Sequence, residues 1–172
     1  MEENNLKQYI STVLIAIIIA LFIKTFLFST TYVVGTSMYP TLHEGNMLFV
    51  NKIPLYFSEP NRGDIVVFKA PDNPRKDYIK RVVGVEGDTI LIQDGKVYLN
   101  GEILEEDYIE EGVITKTYDE YKWEIPKNHI FVLGDNRGAS NDSRVFGLVP
   151  LDKVVGVANF RYYPFGEKFG KV

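Results

Sequence analysis

Ser37 stands in the stretch Gly35-Thr36-Ser37-Met38-Tyr39-Pro40-Thr41-Leu42. A glycine ahead of the hydroxyl gives the backbone freedom, and a proline behind it stiffens the exit. That is a way to hold one serine in a fixed, exposed loop, although such a stretch more often only makes a turn. A serine becomes a nucleophile when something takes its proton. One candidate base is Lys80, in Asp77-Tyr78-Ile79-Lys80-Arg81-Val82-Val83-Gly84. If this segment is a strand, Lys80 shares a face with Tyr78 and Val82, and Arg81 shares the other with Ile79 and Val83. An ammonium set between an aromatic ring and a branched aliphatic side chain can be desolvated, which lowers its pKa. A change of about three pH units corresponds to roughly 4 kcal/mol. A lysine neutral near pH 7 to 8 can act as a general base. Taken alone, the segment reads more readily as a solvated Lys-Arg pair.

A third stretch runs from Gly134 to Gly147, GDNRGASNDSRVFG, directly after the apolar run Ile130 to Leu133. Its charges, amides and glycines suit a self-bonded polar loop, with Asp142 and Arg144 pairing. The two histidines, His43 and His129, have no metal-ligand spacing, and no motif places an acid beside either. A histidine partner for Ser37 is therefore disfavoured. The chain has no cysteine, which excludes disulfides, thiolate metal sites and a cysteine nucleophile. Neither a metal nor an organic cofactor is expected.

The elements that must carry these residues follow from the hydropathy. From Tyr9 to Phe28 the chain is apolar except at Ser11, Thr12, Lys24 and Thr25. As a helix, twenty such residues span about 30 Å, the thickness of a bilayer's hydrocarbon core. An apolar surface all round argues against a buried core helix in so small a chain. No small-x-small cleavage site follows, so the segment reads as a retained signal-anchor rather than a cleaved leader. Lys7 and the α-amino group precede the span, and no Lys or Arg follows Lys24 until Lys52. The positive-inside rule then puts residues 1–8 in the cytoplasm and residues 29–172 on the extracytoplasmic side of the cell membrane, a single-pass arrangement.

The whole chain, 172 residues with 45% hydrophobic and 24% charged side chains, suits one ordinary domain. A net charge of −4 argues against a nucleic-acid partner. Period-two and short apolar runs predict strands at Met47–Val50, Asp64–Lys69, Tyr78–Val85, Thr89–Gln93 and Lys96–Leu99. Others are expected at Val113–Tyr118, His129–Leu133 and Val154–Phe160. Asp94-Gly95 is a two-residue hairpin signal and Asn100-Gly101 another turn. Glu102 to Glu111 carries six acidic side chains among ten and reads as a solvated loop, within a small β insert at about 95–128. No helix of any length is expected after the anchor. The fold class is mainly β, a coiled or barrel-like antiparallel sheet behind one transmembrane helix.

Together these segments resemble the bacterial type I signal peptidases, membrane-anchored Ser-Lys proteases that remove signal peptides from exported proteins. Ser37-Met38-Tyr39-Pro40-Thr41-Leu42 is similar to the nucleophile box and Gly63-Asp64-Ile65-Val66-Val67-Phe68 to the strand box that follows it. Tyr78 to Gly84, with Gly87-Asp88, resembles the general-base box. Gly134-Asp135-Asn136-Arg137, Ser140, Asp142-Ser143-Arg144 and Phe146-Gly147 resemble the last box. The resemblance implies that Ser37 is the nucleophile, Lys80 its base and Ser140 the hydroxyl that orients the lysine. It implies that Asp142 and Arg144, with Gly134 and Asp135, support the site, and that the Ser37 backbone N–H holds the oxyanion. Some relatives have a serine where this chain has Gly35, which leaves the second oxyanion donor unidentified. The substrates implied are secretory preproteins with small residues at the first and third positions before the cut, bound as an added strand beside membrane lipid. From Phe28 to Ser37 is only nine residues, about 30 Å at full extension, so the serine stays near the membrane.

Two other readings stand beside this one. A self-cleaving Ser-Lys regulator would carry a DNA-binding domain where this chain has an anchor. A non-enzymatic, membrane-tethered β module would use Ser37 and Lys80 only as loop and strand residues.

Overall fold

The computed structural model describes residues 2–118, 121–165 and 169–172. Helix α1 covers Glu2–Phe22 and passes into one π-helical turn, Ile23–Leu27. The segment Leu6–Leu27 is long and apolar enough to cross a membrane, and its residues are exposed as far as Phe26, with Leu27 half-buried. Helix thus reaches back into the polar residues expected to precede the span. Phe28, read as the end of the span, is instead the first residue of strand β1, Phe28–Tyr32.

The strands that follow are β2 (Met47–Asn51), β3 (Ile65–Lys69), β4 (Asp77–Gly84), β5 (Thr89–Gln93), β6 (Lys96–Leu99), β7 (Glu102–Ile103) and β8 (Lys122–Glu124). Then come β9 (His129–Leu133), the single helical turn α2 (Ser143–Phe146), β10 (Val149–Pro150), β11 (Val154–Tyr163) and β12 (Gly170–Lys171). The main sheet has the order β1-β2-β11-β3-β4-β9-β10, with β12 added to β11, and a smaller sheet has the order β7-β6-β5-β8. Every pairing is antiparallel. The main sheet is open, since β1 and β10 end the order. Its long strand β11 is bent by three register shifts, at 154/156, 158/160 and 161/163. Gly156 permits the tight crossing, because a Cβ there would come within 2.6 Å of Val50 and 2.8 Å of the Asn51 carbonyl.

The sheet is covered on both faces. On β3, Ile65 and Val67 join Met38, Leu42, Leu48 and Val50 in one core cluster, while Val66 and Phe68 join Val82, Ile130 and Val132 in another. This is why Ile65–Phe68 is an unbroken apolar run and not an alternating one. The smaller sheet lays Ile90, Ile92, Val97 and Trp123 over Val83, Phe131 and Leu133 of β4 and β9.

Asp94-Gly95 makes the expected hairpin between β5 and β6, both residues at positive φ (50° and 77°). Two expectations fail. Val113–Tyr118 is not a strand: Thr115 N–H bonds the Gly95 carbonyl and its hydroxyl turns inward to Arg137, so the segment crosses the hairpin singly. The smaller sheet also begins at Thr89 instead of residue 95, and residues 119–120 of the expected insert lie outside the described ones.

Candidate active site

Ser37 is carried by the loop between β1 and β2. The loop is closed at its base by Val33 N–H to the Asn46 carbonyl and Gly45 N–H to the Val33 carbonyl, 2.9 and 3.0 Å. Met38 and Leu42 are fully buried on the core side, and Leu42 N–H bonds the Met38 carbonyl at 2.8 Å. These two apolar side chains act as pins, so the residue between Thr36 and Met38 is held at the surface while its neighbours are not free to move. Gly35 enters the turn at φ +80°, a conformation that side chains disfavour.

Lys80 lies on β4, opposite Val66 of β3. Its Nζ sits 2.7 Å from Ser37 Oγ and 2.9 Å from the Ile79 carbonyl, and 5.4 Å from the Tyr78 ring centre. The side chain is buried, with 4% of its surface exposed. Burial pulls the lysine pKa down to about 8, against the opposing pull of the Asp142 and Asp135 carboxylates. The solvated Lys-Arg alternative is thereby excluded, because Arg81 is also buried. Its guanidinium forks onto Asp135 at 2.9 and 2.7 Å, bonds the Gly63 carbonyl at 2.9 Å and packs on the Tyr108 ring at 4.0 Å.

The third stretch closes the site because β9 ends beside β4: Leu133 is opposite Arg81, so residue 134 starts next to Lys80. From there Asn136 N–H bonds the Ser37 carbonyl at 3.1 Å, and its amide bonds the Thr36 carbonyl at 3.2 Å. Asp135 also accepts from Thr41 of the serine loop, at 2.5 Å. Asp142 and Arg144 pair as expected, in a bidentate contact at 2.8 Å, and Asp142 also accepts Gly134 N–H at 3.0 Å. A Cβ at Gly134 would overlap Ser140 Oγ and the Ser37 carbonyl oxygen. Gly134→Ala is accordingly expected to displace the serine loop, lower stability by roughly 1–3 kcal/mol and reduce turnover with it. Thermal unfolding and peptide cleavage on the same preparation check this, and full activity in the variant would refute it. Ser140 Oγ is buried against this glycine and makes no hydrogen bond, so the bond to Lys80 expected of it is not formed here.

Sequence reasoning missed the contribution of the acidic segment. The Glu106 side chain, 7% exposed, bonds Arg137 at 2.8 Å through one guanidinium nitrogen and more closely through a second. Arg137 also bonds Thr115 at 2.7 Å and the Gly134 carbonyl at 3.2 Å. One carboxylate of a charge-dense loop therefore belongs to the site's support, 31 residues from its partner. The other acids gave no sign of which one would turn inward.

A cleft of about 220 Å³ opens at Ser37 and Lys80, lined by Tyr32, Val33, Val34, Met38, Tyr78, Ile79 and Asn141, with Asp77 at its edge. A larger hollow of about 390 Å³ lies on the insert between Gly95 and Thr115 and touches neither residue of the pair. His129 is at the far end of β9 from Gly134, its ring nitrogen on the Lys127 carbonyl. Among the described residues no group of three or more histidines and acids could hold a metal ion.

A buried amine on a serine hydroxyl, in a small apolar cleft, is an arrangement for acyl transfer. Comparison with known proteins gives the same class. The model of the family described as signal peptidase, peptidase S26, matches residues 6–163. A signal peptidase I from Bacillus licheniformis is 38% identical over 96% of this chain and 93% of its own, and one from Bacillus caldolyticus is 41% identical over 89% of each. A crystal structure of a signal peptidase I from Enterococcus faecalis V583 superposes with a TM-score of 0.50 at 34% identity, covering 58% of this chain and 97% of that one. The chain is a peptidase, and it belongs to the signal peptidase, peptidase S26, family.

Proposed function

We propose that this peptidase removes signal peptides from exported preproteins, with Ser37 as nucleophile and Lys80 as general base. The observation that carries the assignment is the 2.7 Å approach of Lys80 Nζ to Ser37 Oγ inside a buried site. Neutral Lys80 donates one N–H to the Ile79 carbonyl, and its lone pair accepts the Ser37 hydroxyl proton. Ser37 Oγ attacks the scissile carbonyl while its own backbone N–H receives the developing oxyanion. Lysinium then protonates the leaving amine. An ester acyl-enzyme remains, and the neutral amine activates water to hydrolyse it. Asp142 and Asp135, paired with Arg144 and Arg81, hold the loop that fixes Ser37. Ser140, whose buried hydroxyl is packed beside Gly134, is the residue proposed to orient the lysine.

The cleft's modest volume and its apolar walls of Val33, Val34, Met38 and Ile79 fit small residues at the first and third positions before the cut. The apolar helix Leu6–Leu27 supports a single-pass anchor in the cell membrane, N-terminus in the cytoplasm and sheets on the extracytoplasmic side. A short peptide carrying one Ala-x-Ala site, offered in detergent, tests the function. Cleavage after the second alanine by the parent and none by Ser37→Ala is expected; cleavage elsewhere, or by Ser37→Ala, overturns it.

The pH dependence follows from the lysine. Only the neutral amine accepts a proton, so activity rises with pH through about 8 and levels off above it. A kcat/KM profile from pH 6 to 10 checks this, and a flat or falling profile would refute the role of Lys80.

A further inference from the structure

We propose that Lys52 and Tyr56 are positioning residues that lock the anchor helix to the main sheet, holding the Ser37 cleft at one height above the bilayer. This rests on the function proposed above and assigns it a geometric requirement. The last turn of the anchor is π-helical, and Phe28 N–H bonds the Ile23 carbonyl. The four carbonyls that follow are those a helix end leaves without donors of its own. All four are taken by the short segment that directly follows β2, Lys52 and the 3-10 turn Ile53–Tyr56. Lys52 Nζ donates to the Lys24 and Thr25 carbonyls at 3.4 and 2.9 Å, Tyr56 O–H to the Phe26 carbonyl at 2.9 Å, and Lys52 N–H to the Leu27 carbonyl at 2.9 Å.

Three further features make this a positioning device and not an ordinary cap. The ammonium of Lys52 rests on the negative end of the helix dipole, bonded to two of its last carbonyls. No linker separates helix from sheet, because Phe28 is already paired with Asn51. Tyr56 and Phe57 are strongly exposed at the same level, as aromatic side chains at a membrane interface are. A flexible joint would let the cleft wander over tens of ångströms. This joint leaves it one position, which a substrate whose own apolar helix lies in the bilayer must meet.

The test compares the parent with Lys52→Met/Tyr56→Phe on two substrates. On the soluble Ala-x-Ala peptide the double variant is expected to match the parent within about two-fold. On a preprotein inserted in phosphatidylcholine–phosphatidylglycerol vesicles it is expected to lose at least about ten-fold in kcat/KM. Lys52→Arg, which keeps the donors, should restore the vesicle rate. Equal losses on both substrates, or none on either, overturn the proposal. The chain's lack of cysteine allows a readout independent of activity. Spin labels on Tyr9→Cys and Gln93→Cys should give a narrow distance distribution that widens in the double variant. An unchanged width sinks the lock, whereas a parent that fails to cut the peptide sinks the function alone.

Discussion

Lys80→Met is expected to lower kcat/KM on an Ala-x-Ala peptide by at least about 10⁴-fold while making the protein harder to unfold. Both halves come from the same burial. The amine is held 2.7 Å from Ser37 Oγ, and among the described residues it is the basic side chain that lines the cleft. The folded chain holds its pKa near 8 against an ordinary 10.5, and the cause is desolvation. Below about pH 8 the folded protein carries a buried ammonium that the unfolded chain would keep in water. Stability therefore rises with pH between about 8 and 10.5, where the unfolded chain still binds the proton and the folded one does not. At neutral pH the penalty is on the order of 3 kcal/mol. Methionine fills the same space without the charge, so part of that penalty is recovered, offset by the lost contacts to Ser37 and Ile79. A net gain of roughly 1–2 kcal/mol would raise Tm by several degrees in a chain of this size. A variant that is inactive but less stable would show that the lost contacts to Ser37 and Ile79 outweigh the recovered penalty, and would refute the expected gain.

The second large effect concerns the pair behind the lysine. Asp142→Ala is expected to cost roughly 3–5 kcal/mol, because it leaves the Arg144 guanidinium buried without its counter-charge. Asp142 has no exposed surface and Arg144 has 5%. The substitution also strips the acceptor from Gly134 N–H and from Arg144 N–H, the latter at the start of α2. Thermal unfolding should show a Tm lower by roughly 6–20 °C. The double variant Asp142→Ala/Arg144→Ala should lose less than the two single variants added together. A fall under 2 °C in the single variant would sink the argument. The milder Asp142→Asn tests electrostatics at nearly constant shape. It removes a carboxylate that favours the charged lysine, so the pH-rate midpoint should move below about 8.

Much of this arrangement was legible in the chain. Thr89–Gln93 and Lys96–Leu99 emerge with the expected bounds, because Asp-Gly imposes a turn whose twist fits two antiparallel strands. The Asp142–Arg144 pair was legible because its partners are two residues apart. What escaped notice depends on contacts between distant segments. β1 was hidden behind the anchor, since Phe-Ser-Thr-Thr-Tyr has half-exposed polar residues where an alternating strand would show apolar ones. Val113–Tyr118 has a strand's composition, but it meets only one residue of the hairpin and never pairs along its length. The inward turn of Glu106 and the stacking of Tyr108 on Arg81 are set by two arginines more than twenty residues away. The unmade bond at Ser140 depends on side-chain placement, below what spacing can resolve.

The contacts that fix Ser37 have a consequence for the order of folding. Its hydroxyl meets Lys80 43 residues later, and Thr41 of the same loop meets Asp135 94 residues later. The apolar helix precedes the sheets in sequence, and the contacts that seat Ser37 form only when β9 and the loop after it have joined β4. Contacts of such long sequence separation form late in folding. In the mechanism proposed above, a partly folded chain thus carries Ser37 in an unassembled loop. On that reading the site assembles only when the last third of the chain has folded onto the first.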